Sequence, residues 1–354
     1  MDRGERIGGV FVKAFYGALQ IAFVYVGTVI GAGFATGKEI VEFFTQFGFI
    51  GFLGIMVSGY LFIVMGTKTM RVSIKLKAQS YEELNEYLFG KKLAFFFNMA
   101  MLFMLICVSG VMLAGAGALF EEQLGLSKQL GIWLTIFGGV IEIINGTKGL
   151  LAVNSFVVPL MITFNLIVFL VSSQTPEFFS SLFSSASSDI SIQSIVSPFA
   201  YTAFNLALAQ AVLVPVAAEI NDERTIRWGG IIGGLFLTII LLSSHFVLLQ
   251  LPDVTSLEIP MASVMNNVAY GISGIYLCII YGEIFTSIIG NIYGLERQLS
   301  HYWPIQPILL YISVFLIAFC LSQLHYGRLL SFLYPLFGYF SFLFFFLLWV
   351  KPIK

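Results

Sequence analysis

The sequence has little charge, few cysteines and few histidines, and each shortage excludes a class of protein. Charged residues make up 10% of the 354 positions and the formal net charge is −1, which excludes the strongly basic field of a nucleic-acid-binding protein. The three cysteines, Cys107, Cys278 and Cys320, have the spacing of neither a disulfide framework nor a zinc site. The sequence also has no nucleophile elbow, phosphate loop or His/Glu metal spacing, so we expect no enzymatic activity.

Apolar residues, in contrast, are abundant. They make up 58% of the chain, and the mean hydropathy of +0.93 lies far above the average of soluble proteins. A helix of about twenty apolar residues crosses roughly 30 Å of hydrocarbon. The sequence therefore predicts an all-α polytopic membrane protein with ten transmembrane helices, at approximately residues 14–46 (interrupted at 31–37), 48–70, 92–119, 130–145, 149–171, 198–220, 228–250, 267–293, 305–323 and 328–350.

The basic residues predict how these spans are oriented. With the N-terminus inside, fifteen lysines and arginines fall in the inner loops, and only Lys128 and Arg328 fall outside. Lys38 lies at the interruption and is not counted. Because basic residues concentrate in cytoplasmic loops, both termini are predicted to be cytoplasmic, in the plasma (inner) membrane of a bacterium.

The predicted spans divide into two sets of five, and an odd number per set places the two halves in opposite orientations. Residues 1–172 form the first repeat, 173–197 a serine-rich outer connection, and 198–354 the second repeat. Within the first repeat, a capping-box sequence starting at Ser80 predicts a cytoplasmic interfacial helix at about 80–90. The segment 257–267 is a candidate for a short outer helix. Phe23–Ile40 also aligns weakly with Ala203–Ile220 at a constant offset, which pairs Glu39 with Glu219.

The first span contains the most informative local feature. Gly31-Ala32-Gly33 interrupts an apolar run, and Lys38-Glu39 follows shortly after. Backbone groups freed within hydrocarbon need partners, so a helix break here predicts a site where a ligand or ion supplies them. The alternative is that the glycines only allow close packing of helices, a common use of small residues in membranes.

The string from Phe23 to Ile40, FVYVGTVIGAGFATGKEI, resembles the first helix of the amino acid, polyamine and organocation transporter superfamily. Within that superfamily it is similar to the YkvI family of Bacillus-type membrane proteins. The resemblance covers nearly the whole chain. It implies a LeuT-like fold, a five-plus-five inverted repeat whose first helix is discontinuous.

The resemblance also implies positions for cargo. Exposed amides of Gly31, Ala32 and Gly33 are the expected partners of a substrate carboxylate. The family's sodium site maps onto the carbonyls of Gly27 and Ile30 together with the hydroxyls of Thr286 and Ser287. Those two hydroxyls have an ordinary alternative role, which is to bond back to the carbonyl one turn earlier.

The coupling ion stays open between sodium and a proton. Proton-driven relatives can hold a lysine in the fifth span, and residues 149–171 contain none, which favours sodium. Glu283 is the candidate for a proton site. Lys38, Glu39 and Glu219 are gate candidates, and no resident cofactor is expected beyond a bound Na+.

The sixth span is expected to face the first across the cavity. Phe199, Tyr201, Phe204 and Asn205 are the candidates for substrate contacts there. Unlike the family pattern, this span has no glycine pair to mark a second break, so its discontinuity is not indicated.

These features predict a secondary active transporter that carries an amino acid or a related small amine by symport with sodium or protons. Its expected partners are a small zwitterionic solute and the lipid bilayer, with no nucleic acid, and the sequence does not indicate an oligomeric state. The alternatives are a nutrient-sensing receptor subunit of the same fold, as in spore germinant receptors, and an ion or water channel.

Overall fold

In the computed structural model the chain is almost entirely helical. The structure describes residues 3–143, 146–175, 178, 180–181, 191–257, 259–268, 273–302 and 306–352, and no β-strand occurs within these ranges. The α-helices are α1 (Arg3–Val29), α2 (Ala32–Ala35), α3 (Lys38–Phe43), α4 (Gly48–Leu61), α5 (Thr67–Leu76), α6 (Tyr81–Phe89), α7 (Lys91–Ala118), α8 (Lys128–Ile143), α9 (Gly146–Ser172), α10 (Ile192–Ile220), α11 (Glu223–Leu248), α12 (Pro260–Val268), α13 (Ser273–Tyr302), α14 (Pro307–Ser322) and α15 (Tyr326–Val350).

Many of these helices have the length and composition of membrane spans. Among the described residues, seven helical stretches qualify: Lys38–Leu76, Lys91–Gln123, Lys148–Ser172, Ile192–Ile220, Glu223–Leu248, Gly274–Glu296 and Tyr326–Val350. Two shorter apolar helices, Phe15–Val29 and Ile308–Ser322, lie beside them. Each of the ten predicted segments overlaps one helix or a run of consecutive helices, which is consistent with ten spans.

The packing of the helices follows an inverted repeat. Helix α1 packs against α11 and α9, and α10 packs against α4, α5 and α15. Each first helix thus contacts the second span of the other half, α11 or α4–α5, and the fifth span of its own half, α9 or α15. The two sets of contacts are therefore equivalent. Helices α7 and α13, the third spans of the two halves, pack against each other at the centre. The predicted five-plus-five arrangement with a discontinuous first helix is confirmed.

The second span contains a π turn, Phe62–Gly66, between α4 and α5. A π turn frees a backbone carbonyl from the regular ladder. Here the Tyr25 hydroxyl of α1 donates to the Phe62 carbonyl oxygen at 2.8 Å. A Cβ at Gly66 would lie 2.1 Å from the Tyr25 hydroxyl oxygen, so glycine is needed for this approach. The contact fixes the second span against the first.

The connecting segments agree with the predictions in part. The interfacial helix is present as α6, but the Ser80 side chain makes no cap hydrogen bond; Glu83 instead accepts from the Gln79 amide at 3.3 Å. The short outer helix is present as α12. Residues 176–177, 179 and 182–190 of the predicted outer connection, 173–197, lie outside the described residues, and α10 begins within it at Ile192, where Ser191 caps the helix.

Candidate functional site

The first span leaves the helical conformation twice. Helix α1 ends at Val29, Ile30 and Gly31 are non-helical, and the single turn α2 is followed by Thr36 and Gly37 before α3 begins. Gly37 has φ of 82°, a left-handed conformation that favours glycine. Gly31 is extended, and a Cβ there would lie 2.1 Å from the Met112 methyl carbon, so a larger residue would displace the end of that side chain.

Two backbone carbonyls of the first span converge on one hydroxyl beside this break. Ser287 Oγ on α13 lies 3.4 Å from the Gly27 carbonyl oxygen and bonds the carbonyl of Ile30. It also lies 2.9 Å from the Glu283 carbonyl oxygen one turn earlier in its own helix, the ordinary bond back along α13. A serine hydroxyl has a single proton to donate. The carbonyl oxygens therefore exceed the available donors, which is the arrangement that suits a hard cation. We call this group the Ser287 corner.

Thr286, the other predicted hydroxyl, has a different role. Its Oγ1 donates to the Glu283 carbonyl at 3.0 Å, the ordinary bond back along the helix. The structure thus brings Gly27, Ile30 and Ser287 together and leaves the Thr286 hydroxyl bonded within its own helix.

Asn154 on α9 is a further member that sequence reasoning missed. Its Nδ2 donates to the Leu150 carbonyl at 2.9 Å, while its Oδ1 is buried with no hydrogen-bond partner among the described residues. A Cβ on Gly27 would lie 1.7 Å from this Oδ1, so the amide oxygen lies directly against the first span beside the Ser287 corner. The available signal was an amide within a mostly apolar span, which also contains Asn165.

Met112 on α7 is the second missed residue. Its sulfur accepts a hydrogen bond from the Ala32 amide at 3.2 Å, at the start of α2. The amide predicted to hold a substrate carboxylate is thus bonded to a thioether in this conformation. A thioether is a weak acceptor, so a carboxylate oxygen would bond the same amide more strongly.

Glu39 is buried at the other end of the break, with 2% of its surface exposed. Its Oε1 accepts from Asn205 Nδ2 at 3.4 Å, and a Cβ on Gly33 would lie 2.8 Å from its Oε2. The hydroxyl groups of Tyr201 and Tyr334 lie near enough to interact electrostatically with this carboxyl. Two helices, α10 and α15, therefore supply a polar cluster around Glu39.

The remaining predicted residues occupy varied positions. Phe204 packs on Tyr334 with ring centroids 4.7 Å apart, next to the Glu39 cluster. Phe199, in contrast, is 39% exposed on the surface of α10, and Glu219 is exposed at the end of that helix. We leave these last two out of the candidate site.

Lys38 joins the first span to the segment that follows α11. Its Nζ donates to the Thr255 carbonyl at 2.7 Å and lies 3.6 Å from a Glu42 carboxylate oxygen. The Met261 amide at the start of α12 donates to the Thr36 carbonyl at 3.0 Å. The segment between α11 and α13 thus covers the break on the side predicted to be outer.

Glu283 is the second buried carboxyl group near the break. Its side chain is fully buried, and neither carboxylate oxygen has a hydrogen-bond partner among the described residues. It lines a narrow cavity of about 10 Å³, room for roughly one water-sized occupant, bounded by Phe34 and Ala35 of α2 and by side chains of α9, α11, α12 and α13.

Comparison with known proteins identifies the family. The sequence is 49% identical over 327 residues to the uncharacterized membrane protein YkvI of Bacillus subtilis (strain 168), which covers 92% of this chain and 93% of that protein. The chain belongs to the YkvI family. A second protein of Bacillus subtilis (strain 168), the uncharacterized YyaD, is 26% identical over 88% of the chain and 90% of its own length. No family model matches the sequence. The YkvI relationship establishes a membrane protein.

Solved structures define the fold of the YkvI-family chain. A manganese transporter of Eremococcus coleocola superposes with a TM-score of 0.68 and 12% identity, over 94% of this chain and 77% of that one. MhsT in complex with L-phenylalanine gives 0.66 and 12%, over 88% and 80%. A Na+-coupled sialic acid symporter gives 0.66 and 16%, over 94% and 79%. At these identities the likeness shows a common LeuT-like fold and leaves the cargo open.

Proposed function

We propose that the chain is a secondary active transporter of the bacterial plasma membrane, within the amino acid, polyamine and organocation superfamily. It carries a small zwitterionic solute, an amino acid or a related amine, in symport with Na+ or a proton. Its gating works by alternating access around the interrupted first span. The fold shared with a Na+-coupled symporter and with an amino-acid-bound protein supports this proposal.

The observation that carries the proposal is the Ser287 corner. The carbonyls of Gly27 and Ile30 meet at one buried hydroxyl, that of Ser287. Oxygen ligands of this kind suit Na+, and the unpartnered Oδ1 of Asn154 lies beside them. Because the carbonyls belong to the first span and the hydroxyl to α13, a bound cation would join these two elements. Binding of the cation would therefore favour the conformation in which the first span and α13 lie together.

The solute is placed on the side of the break that faces α10 and α15. Its carboxylate displaces the Met112 sulfur from the Ala32 amide, and its ammonium group pairs with Glu39 in the cluster that includes Tyr201 and Asn205. Both ends of a zwitterion would then have a partner of opposite charge or polarity. Opening of the bundle admits the solute, because Met112 fills the space beside Gly31 in this conformation.

The test uses purified protein in proteoliposomes with an imposed Na+ or proton gradient and a set of radiolabelled amino acids and amines. We expect uptake that saturates with one class of solute and depends on the gradient. In Ser287→Ala the half-saturating Na+ concentration should rise by about tenfold or more, because a buried ligand is lost. Thr286→Val should change it much less, because the Thr286 hydroxyl bonds only its own helix.

A matched control is Ser313→Ala, which removes an exposed serine hydroxyl bonded to the Leu309 carbonyl of its own helix. It should leave uptake unchanged. Flux that never saturates would favour a channel, and solute binding without uptake would favour a receptor subunit. Either outcome, like an unchanged Na+ dependence in Ser287→Ala, contradicts the corresponding part of the proposal.

A further inference from the structure

The cavity at Glu283 lies on a different face of the interrupted span from Glu39. Glu39 contacts α10 and α15, whereas the Glu283 cavity is enclosed by α9, α11 and α13. The two buried carboxyl groups are therefore in separate environments. The role proposed for Glu39 leaves Glu283 without a function for its side chain.

The Glu283 carboxyl group has neither a hydrogen-bond donor nor a cation beside it among the described residues. It is fully buried, and both of its carboxylate oxygens lack a hydrogen-bond partner in the described part of the chain. A buried carboxylate without a partner costs many kcal/mol, and a buried neutral acid still needs an acceptor for its proton. A positively charged occupant would remove this cost.

The two hydroxyl groups of the cavity have their hydrogens engaged elsewhere, and Asn165 carries both an acceptor oxygen and a donor amide nitrogen. Ser244 Oγ donates its hydrogen to Asn165 Oδ1 at 2.8 Å, and the Tyr276 hydroxyl donates to the Ala35 carbonyl at 3.1 Å. Both donors are thus already used, while the Tyr276 and Asn165 oxygens keep lone pairs. Together with Glu283 they form an oxygen-lined wall that faces an otherwise apolar cavity.

The nearest lysine of the interrupted span does not fill this role. Lys38 Nζ bonds the Thr255 carbonyl at 2.7 Å and pairs with Glu42 at 3.6 Å, so it is engaged on the side predicted to be outer. It does not contact Glu283, whose oxygens have no partner. If the Glu283 carboxyl group is ionised, its compensating charge comes from outside the described part of the chain.

We propose that the Glu283 cavity is a cation-binding position in its own right, separate from the Ser287 corner. It takes a monovalent cation, either inorganic Na+, which matches the size of the cavity, or the ammonium group of a small primary amine, whose carbon chain would require the cavity to widen; both carry a single positive charge and need oxygen ligands. The Glu283 carboxylate supplies the charge, and the Asn165 and Tyr276 oxygens complete the contacts. This goes beyond the proposed function, because binding here requires no transport.

The experiment measures thermal unfolding of the full chain, purified in detergent, because a ligand that binds the native state raises Tm. NaCl and ethylammonium chloride are titrated separately against N-methylglucamine chloride at constant ionic strength. The measurements use the Ser287→Ala background, which removes the hydroxyl ligand of the other cation position. We expect at least one of the two small cations to raise Tm with a measurable half-saturating concentration.

Adding Glu283→Gln to this background should raise that concentration by about tenfold or more, since a charged partner is replaced by a neutral isostere. The matched control is Glu121→Gln, the same chemical change at an exposed position, which should leave the response unchanged. A response to Na+ alone identifies an inorganic cation, and a response to ethylammonium identifies an amine. Equal responses with and without Glu283→Gln, or no response to either cation, overturn the proposal.

Glu283→Asp covers the case in which the glutamine variant does not fold. It keeps the charge and withdraws it by one methylene, so we expect about threefold or more weaker binding in the same background. An unchanged half-saturating concentration would overturn the proposal equally. Failure of the two proposals is distinguishable: Glu283-dependent stabilisation without any uptake contradicts transport alone, and uptake without that stabilisation contradicts the Glu283 position alone.

Discussion

Phe23–Ile40 and Ala203–Ile220 occupy matching places in the two repeats, and only the first of them leaves the helix. Helix α10 runs without interruption from Ile192 to Ile220, although it contains Pro198 and Pro215. The first span ends α1 at Val29 and resumes as α2 and α3. The comparison shows that the two prolines of α10 leave its helix continuous. The three glycines of the first span, whose freed backbone groups have hydrogen-bond partners nearby, accompany a break.

The sequences explain the difference at specific positions. The places of Gly31, Gly33 and Gly37 in the first segment are taken by alanine, leucine and alanine in the second. Alanine and leucine are strong helix formers, whereas glycine tolerates the left-handed conformation of residue 37. The freed groups of the first span also have partners, because Ser287 bonds two of its carbonyls and Met112 bonds an amide.

The two glutamates at matching positions also differ, in how deeply each side chain is buried. Glu39 is buried at 2% exposure beside the break, and Glu219 is exposed at the end of α10. The predicted equivalence of the pair holds for sequence position and fails for environment. This difference in burial agrees with the proposal that the first span binds the solute and α10 lies opposite it.

The largest effect on solute affinity is expected at the pair of glutamates, because Glu39 is buried and Glu219 is exposed. Glu39→Gln should weaken solute affinity by about tenfold or more, because it removes the charge proposed to pair with an ammonium group. Glu219→Gln is the matched change in the second repeat and should leave affinity within about twofold. Binding isotherms of the purified variants check this, and equal losses in both would contradict the assigned asymmetry.

Helix geometry gives the next largest effect. Gly37→Ala should destabilise the protein by about 1–2 kcal/mol, because φ of 82° is strained for alanine and its Cβ would lie 2.7 Å from Met261 Cγ. Denaturation curves in detergent measure the change. Gly274→Ala, at a site with nothing within 4 Å of the new Cβ, is the control and should be nearly neutral. Equal stability of Gly37→Ala and wild type would mean that residue 37 is not left-handed.

The smallest effect is expected at Pro215, where α10 lacks one backbone hydrogen bond. Pro215 donates no hydrogen bond to the Ala211 carbonyl, which aligns with Gly31 in the first repeat. Pro215→Ala restores that bond and should change stability by less than about 1 kcal/mol, while uptake stays within about threefold. Loss of uptake with unchanged folding would instead mean that α10 must bend during transport, and it would reduce the contrast between the repeats.

The sequence predicts some parts of this site well and others not at all. Hydropathy and glycine placement predict the spans and the first break, because both depend on local composition. The resemblance to a known family predicts the meeting of Gly27, Ile30 and Ser287. Phe199 and Tyr201 show the limit: they lie two residues apart on α10, yet Phe199 is 39% exposed and Tyr201 is fully buried. A helix that is apolar on all sides gives no signal of its rotation about its axis.

The roles of Met112 and Asn154 were missed for a related reason. Each acts through a contact with a distant segment, Met112 on the Ala32 amide and Asn154 against Gly27, and no spacing within its own helix marks it. Contacts across the bundle follow from how whole helices pack, and a single sequence does not contain that arrangement in readable form.

A density map of the protein in saturating NaCl tests the central claim most directly. The account predicts a first span that is non-helical at Ile30 and Gly31, with a peak at coordination distance from the Gly27 and Ile30 carbonyls and from Ser287 Oγ. A regularly wound helix through residues 30–37, or an interrupted one with no ion density at the Ser287 corner, would contradict it.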